Sequence, residues 1–341
     1  MARADLLKQL FRAYRNSDRE NFMDAARAIV DEERKKHHPA LAEELLRVLN
    51  NGVVVASPTL ARALPPPPRD QDRRTALLEI RHPDRFLKDL VLERPVKDVL
   101  DRVLREFRAW DVLEASGLNP SHKLLFCGPP GCGKTATAQA LAGELGLPLL
   151  YVRFDSVVSS LLGETAANLR KVFEYASQDN WVILFDEFDA IGRSRDDSTE
   201  HGEIKRVVNS LLQMLDNFKG RSMIIAATNF GQSLDPAIWR RFDEIVRFPR
   251  PTLQQLHDLM SLRLIPAANE DVSFRPYIQK LKGSSFGDAE QVCLDVLKTC
   301  ALDGRTRFTK SDLHDAIARL GRRRGILRAS TPIETPRVDQ P

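Results

Sequence analysis

Residues 127–135 read Cys-Gly-Pro-Pro-Gly-Cys-Gly-Lys-Thr, directly after the apolar run Lys123-Leu124-Leu125-Phe126. A strand that runs into a glycine-rich turn and then a helix is the required context of a phosphate-binding loop. That context calls for a parallel sheet with its ligand at the carboxyl ends of the strands. Gly128, Gly131 and Gly133 let the backbone curl until several N–H groups converge on one point. Pro129, Pro130, Cys132 and Ala136 fill the positions between and after them. The helix expected from Thr135 to about Gly143 adds the positive end of its dipole. Lys134 can reach the β- and γ-phosphates, and the Thr135 hydroxyl is placed to ligate Mg²⁺. A nucleoside triphosphate, with ATP and Mg²⁺ as the expected cofactors, follows from this loop.

A second motif lies some distance on. Trp181-Val182-Ile183-Leu184-Phe185 is a continuous apolar run, as in a strand buried on both faces. It ends in Asp186-Glu187-Phe188-Asp189. Beside Lys134, one carboxylate can hold the metal's water shell and a second can activate the attacking water. Asp186 fits the first role and Glu187 the second, with Asp189 structural. A third strand, Met223 to Ala227, delivers Thr228 and Asn229, whose amide could orient that water or sense the phosphate. Arg240 and Arg241 follow a short helix, where a neighbouring subunit would need arginine against transition-state charge.

These segments, in this order, resemble the AAA ATPases, in particular a prokaryotic member of the classical branch that includes katanin, spastin and membrane-protease unfoldase modules. The resemblance covers roughly residues 84–325. It includes Ala-Ala-Thr-Asn at 226–229, Leu-Asp-Pro-Ala at 234–237 with Arg-Arg-Phe-Asp at 240–243, and Ser-Phe-Gly-Asp-Ala-Glu at 285–290. By that resemblance Lys134 and Thr135 hold nucleotide and Mg²⁺, Asp186 is the metal-side acid and Glu187 the catalytic base. Asn229 looks like the first sensor, and Arg240 and Arg241 like paired fingers acting in trans. Gly287 and Asp288 sit where the lid approaches the nucleotide, without a sensor arginine there. The first pore loop would be Leu161, Leu162 and Gly163, with Leu161 where the family usually carries an aromatic residue. Leucine offers less contact area for gripping an unfolded chain. Residues 194–201 would be the second pore loop.

The chain divides visibly. Residues 1–55 read as amphipathic helices, an adaptor-like module. Leu6, Leu7, Leu10, Phe11 and Tyr14 line one of them, and Phe22, Ala25, Ala26, Ile29 and Val30 line the next, which Ser17 and Glu20 would cap. Residues 56–83, with Pro65 to Pro68, read as an extended linker. Residues 84–250 alternate strands (123–127, 148–153, 182–186, 223–228) with helices, an α/β doubly wound sheet. Residues 251–325 read as a helical lid with helices at 252–263, 275–281, 287–302 and 310–320. The tail, 326–341, lacks periodicity and is expected to be disordered.

Composition removes several classes. A net charge of +4 argues against a nucleic-acid partner. No apolar stretch approaches a membrane span and no signal-peptide core opens the chain. Cys127, Cys132, Cys293 and Cys300 form no metal-ligand spacing, so a reduced, cytoplasmic protein is expected. A thiol reagent at Cys132 is expected to block nucleotide binding. No HExxH or GxSxG peptidase pattern is present, so a degradative role would need a separate peptidase. The resemblance implies a Mg²⁺-dependent ATPase acting as a homo-hexameric ring that unfolds or disassembles proteins, reaching substrate or adaptor through its N-terminal helices. The alternative is an ATP-gated scaffold that hydrolyses slowly.

Overall fold

The computed structural model describes Leu6 and residues 19–35, 66–70, 75–157, 162–189, 201–229, 236–267 and 273–330. The chain forms two units, divided between Pro65 and Pro66. In the first, helix α1 (Arg19–Lys35) buries Ala25, Ala26 and Val30, and Ile29 is half-buried; the side chain of Phe22, also expected on the inner face, lies outside the described ones. Apart from Leu6, the helices expected on either side of α1, and Ser17, lie outside the described residues.

The second unit begins with strand β1 (Leu78–Arg81), then α2 (Arg94–Arg108), α3 (Trp110–Ala115), β2 (Lys123–Cys127) and α4 (Lys134–Leu145). Next come β3 (Leu149–Val152), α5 (Phe154–Val157), α6 (Leu162–Ala176), β4 (Val182–Phe185), α7 (His201–Asn217) and β5 (Met223–Thr228). Helix α8 (Pro236–Trp239) and β6 (Glu244–Arg247) complete the α/β part. The sheet order is β1-β3-β4-β5-β2-β6, parallel throughout except for β1, which pairs antiparallel with β3.

The central strands β2, β4 and β5 are apolar and almost wholly buried because helices cover both faces. Successive side chains point to opposite faces. Leu125, Ile183, Phe185 and Ile224 join one core with Phe173 and Leu211 from α6 and α7. Leu124, Phe126, Leu184 and Ile225 join the other, with Leu100 and Leu141 from α2 and α4. Placing β5 between β2 and β4 brings the tips of all three together at one sheet edge.

Two strands escape the sequence reading. β1 lies inside the span read as an extended linker. There Leu77 and Leu78 are buried, Arg69 bridges Ala76, and buried Asp70 accepts a bond from Asn168 Nδ2 at 2.7 Å. Both β1 and β6 are four-residue edge strands in which charged residues (Glu79 and Arg81, Glu244 and Arg247) interrupt or flank the apolar ones, which breaks the apolar run expected of a strand.

The lid packs α9 (Leu253–Leu264), α10 (Arg275–Ile278), α11 (Phe286–Leu302) and α12 (Lys310–Ser330) around Leu259, Val292, Val296, Phe308 and Leu313. Helices α9 and α11 each open on a capping box, Thr252 with Gln255 and Ser285 with Asp288. Helix α12 runs to Ser330, past the expected end at 320, so residues 326–330 of the expected tail are helical. Beyond Leu320 the described side chains carry no buried apolar stripe, and periodicity therefore gave no sign of the extra turns.

Candidate nucleotide site

The loop between β2 and α4 takes its shape from glycines that no other residue could replace in place. Gly131 and Gly133 have φ of 72° and 96°, in the left-handed region. A Cβ on Gly128 would stand 2.1 Å from the Phe248 carbonyl oxygen, so β6 closes tightly over the loop. The Thr137 N–H donates to the Gly133 carbonyl at 2.8 Å, closing the first turn of α4. The helix N–H groups ahead of it form the usual anion-facing end.

Lys134 is buried, and its Nζ donates to the carbonyls of Gly128 (2.6 Å) and Pro129 (2.9 Å) and to Asn229 Oδ1 (2.8 Å). Burial pulls its pKa below the usual lysine value, opposed by nearby Asp186 and Asp189. The Thr135 hydroxyl donates to Asp186 Oδ2 at 2.7 Å. Across the tip of β4, the Glu187 N–H donates to Asp186 Oδ1 at 3.0 Å and the Phe188 N–H to the Ala227 carbonyl at 2.9 Å. Glu187 is exposed and has φ of 54°, alone among described non-glycine residues in being left-handed. Asp189, buried, accepts from the Thr228 hydroxyl and the Asn229 N–H, both at 3.3 Å, fixing the tip of β5.

Lys134, Thr135, Asp186, Glu187 and Asn229 line a cavity of about 360 Å³ that continues past Leu90 and Val91 to the lid residues Leu259, Arg263, Phe286, Gly287 and Glu290. Its volume suits a small-molecule ligand. A larger hollow of about 1140 Å³ shares Pro130 and Asn229 with it, but is lined by neither Lys134, Thr135, Asp186 nor Glu187. The residues expected to bind and act on the nucleotide therefore line the smaller cavity. The residues present fit a nucleotide with a divalent cation. Convergent amides and Lys134 suit phosphates, while the Thr135–Asp186 pair supplies two oxygen ligands.

The lid touches the loop directly. Gly287 N–H donates to the Gly131 carbonyl at 2.9 Å, and a Cβ on Gly131 would meet Ser285 Oγ at 2.7 Å. Across the cavity, Arg263 Nη2 donates to Glu290 Oε1 at 3.0 Å, with Arg85 at 3.9 Å from the same oxygen. Sequence reasoning gave no role to Arg263, since one arginine on an amphipathic helix carries no motif.

Other expectations fare differently. Ala136 stands in the first turn of α4, which continues past the expected end to Leu145, with Gly146 (φ 65°) as its left-handed cap. Gly143 is instead a contact point, where a Cβ would lie 2.1 Å from the Arg85 carbonyl oxygen. Cys132, 2% exposed, turns its side chain into the core with Phe126 and Ala138. Burial raises its pKa, so the thiol is not poised for the reagent expected to block nucleotide binding through it. Arg240 is exposed at the end of α8, and Arg241 Nε donates to Asp216 Oδ2 at 2.8 Å; neither lines the cavity. Leu161 and residues 194–200 lie outside the described residues, while Leu162 and Gly163 open α6.

A parallel sheet with this loop and these strand-tip groups defines a P-loop nucleoside triphosphatase. The chain belongs to the AAA ATPase family and hydrolyses ATP. Residues 124–250 match the family described as ATPase family associated with various cellular activities (AAA). An uncharacterized AAA family ATPase of Sinorhizobium fredii is 42% identical over 326 residues, 95% of this chain and 97% of that one. A proteasome-activating nucleotidase of Saccharolobus islandicus is 34% identical over 241 residues, 68% of this chain and 61% of that one. One of Pyrococcus horikoshii is 30% identical over 251 residues, 71% of this chain and 63% of that one. The chain thus spans less than two thirds of the nucleotidases' length. Among the described residues no helix is long and apolar enough to cross a membrane.

Proposed function

We propose that the chain is an ATP-driven protein remodeller that works as a ring, a homo-hexamer by family likeness, in which each site is completed by the next subunit. One observation carries this reading. Among the described residues at the phosphate end of the cavity Lys134 is the cation, while Arg240 and Arg241 stand outside it in the turn after α8. Phosphoryl transfer to water needs added positive charge on the transferred group, and an arginine in trans is a common supplier. Arg240, exposed, is free to reach a neighbour's site, and Arg241 is steadied by Asp216.

Within the site, Lys134 binds the phosphates, Glu187 takes the proton of the attacking water, and Asn229 orients that water. Thr135 and Asp186 would hold Mg²⁺, which when bound neutralises charge on the phosphates. Gly128 to Ala136 cradle the triphosphate, and Gly287 carries the lid's contact to it. The likeness to proteins named proteasome-activating nucleotidases supports action on protein substrates, with a separate peptidase as partner. The N-terminal helices would serve as the adaptor. Leu161 in place of an aromatic pore residue favours one second reading, an ATP-gated scaffold with slow hydrolysis.

ATPase rate per subunit against protein concentration tests the shared site. So does an equimolar mixture of Glu187→Gln with the double variant Arg240→Ala/Arg241→Ala. A rate that climbs with concentration, and activity partly restored in the mixture, support the ring. A flat rate without rescue means that each chain acts alone. Leu161→Ala, if it leaves protein-stimulated hydrolysis unchanged, moves the reading to the scaffold.

A further inference from the structure

Three arginines, Arg322 to Arg324, follow one another near the end of α12. As a sequence they read as a charge run at the C-terminus of a helix, in preference to a phosphate-binding patch, and Arg322 and Arg323 are exposed. Arg324 turns inward. Its Nη2 donates to Asp288 Oδ2 at 2.9 Å, with both side chains about one third exposed. The same carboxylate oxygen already accepts from the Ser285 N–H (2.9 Å) and the Ser285 hydroxyl (3.0 Å). The Ser285 hydroxyl in turn accepts from the Asp288 N–H at 3.1 Å. One oxygen therefore gathers three donors and closes the capping box that starts α11.

That cap is also the part of the lid that meets the phosphate loop. Between Ser285 and Asp288 lies Gly287, whose N–H donates to the Gly131 carbonyl at 2.9 Å. Ser285 Oγ occupies the space that a side chain on Gly131 would fill. A shift of the cap by a fraction of an ångström would lengthen this bond or press the hydroxyl onto Gly131. The Asp288 side chain decides where the cap sits, and Arg324 decides where Asp288 sits.

We propose that Arg324 is a positioning residue of the ATPase site, holding Asp288 so that the Ser285–Gly287 turn of the lid seats against Gly131 of the phosphate loop. The proposal rests on the reading that this loop holds the nucleotide. It gives the last turns of α12 a task beyond packing, because the described residues past Leu320 add nothing to the buried lid core. An isolated half-exposed ion pair contributes little by itself. Its consequence here is geometric and falls on the nucleotide.

The test uses the full-length chain and the fluorescent nucleotide mant-ADP, in Arg324→Ala, Arg324→Lys, Asp288→Asn and the double variant Arg324→Ala/Asp288→Asn. Arg322→Ala serves as an equal change of charge without the contact. Arg324→Ala is expected to weaken mant-ADP about threefold to tenfold, the scale of one ordinary hydrogen bond, since the pair is partly exposed. Arg324→Lys should recover part of that loss, and Arg322→Ala should match wild type. The double variant should bind no more weakly than Asp288→Asn. Amide exchange at Gly287 should quicken in Arg324→Ala while the melting temperature and the rest of the lid stay as in wild type. Equal affinity and equal Gly287 exchange in Arg324→Ala and Arg322→Ala overturn the proposal. A loss of affinity that tracks a lowered melting temperature, with all lid amides exchanging faster, overturns it too. Wild type that binds no mant-ADP overturns the reading of the loop first, and this inference with it.

Discussion

Lys134 Nζ donates to Asn229 Oδ1 across 2.8 Å, joining the head of α4 to the tip of β5. The bond exists because β5 lies between β2 and β4, so Asn229 falls between the loop lysine and Asp186. Asn229 is in turn held by Asp189, which accepts from its N–H at 3.3 Å. An amide held on both sides in this way fits the role proposed for it, the orienting of a reacting group. Asn229→Ala is expected to lower kcat about tenfold to a hundredfold with nucleotide affinity nearly kept. Lys134→Ala should abolish nucleotide binding. Titration with mant-ATP beside steady-state kinetics separates the two; an equal loss of affinity and kcat at Asn229 would make it a binding residue.

Glu187 carries a left-handed φ of 54°, a conformation that a side chain adopts at a cost of about 1–2 kcal/mol. The strain sets the carboxylate at the cavity while Asp186 faces Thr135. Glu187→Gln should bind nucleotide as wild type does and hydrolyse it about 10²- to 10⁴-fold more slowly, the range for loss of a general base. Glu187→Gly should lose activity as fully, yet unfold at the same or a higher temperature because the strain is gone. A clear drop in melting temperature for Glu187→Gly would sink the idea that strain is stored at this residue.

Much of this was legible in the sequence, for physical reasons. The buried parallel strands announce themselves as apolar runs, and β2, β3, β4 and β5 fall within a residue of where those runs place them. The loop was legible because phosphate chemistry demands glycines, a lysine and a hydroxyl at fixed spacing. The edge strands β1 and β6 were not, since a strand exposed on one side and ended by charge has no run to detect. Contacts that depend on tertiary approach were likewise invisible. Arg263 on Glu290, Arg324 on Asp288 and the role of Gly143 each join segments far apart in the chain. Cys132 shows the reverse error: its place in the loop is readable from sequence, but the direction of its side chain is not.

Gly143 gives a stability prediction that sequence alone would reverse. In the middle of a helix, Gly→Ala is ordinarily stabilising by about 0.5–1 kcal/mol. Here the added methyl would lie 2.1 Å from the Arg85 carbonyl oxygen, so α4 or the segment before α2 must move. Neighbouring bonds resist the movement: the Leu87 N–H donates to Glu144 Oε1 at 3.2 Å. Gly143→Ala should therefore cost about 1–3 kcal/mol, the scale for overpacking, read by urea unfolding. A stabilised variant would mean that the Arg85 segment moves away without resistance.

Asp312 makes the lid acid-sensitive. Its carboxylate accepts both Nη atoms of Arg305 at 2.8 and 2.9 Å, and the N–H and hydroxyl of Thr309 at 2.7 and 2.9 Å. The Arg305 guanidinium, helped by Thr309, holds the Asp312 carboxyl well below the usual aspartate range. A folded-state pKa below the unfolded value of about 3.9 means that the unfolded chain takes up the proton first. This stabilisation is full above about pH 4 and is lost as pH falls through the folded-state pKa. Asp312→Asn should melt lower than wild type at neutral pH, and the gap should narrow below about pH 4. A gap that is constant with pH would show that the carboxylate's charge is not what the lid uses.

The cysteines make a prediction opposite to the one their positions suggest. All four are buried; burial pushes Cys127 up to about 11 and Cys293 up to about 12, and raises Cys132 and Cys300 as well. Only the thiolate reacts, and at neutral pH a thiol near 11 is ionised to about one part in ten thousand. Alkylation of the native protein at about pH 7.5 should therefore be slow at every cysteine and fast after unfolding in urea. Loss of ATPase should keep pace with opening of the fold. Early loss that Cys132→Ala abolishes would mean that the loop swings its thiol outward faster than the lid unfolds. The contact between Gly131 and Ser285 would then be one of two positions of the phosphate loop.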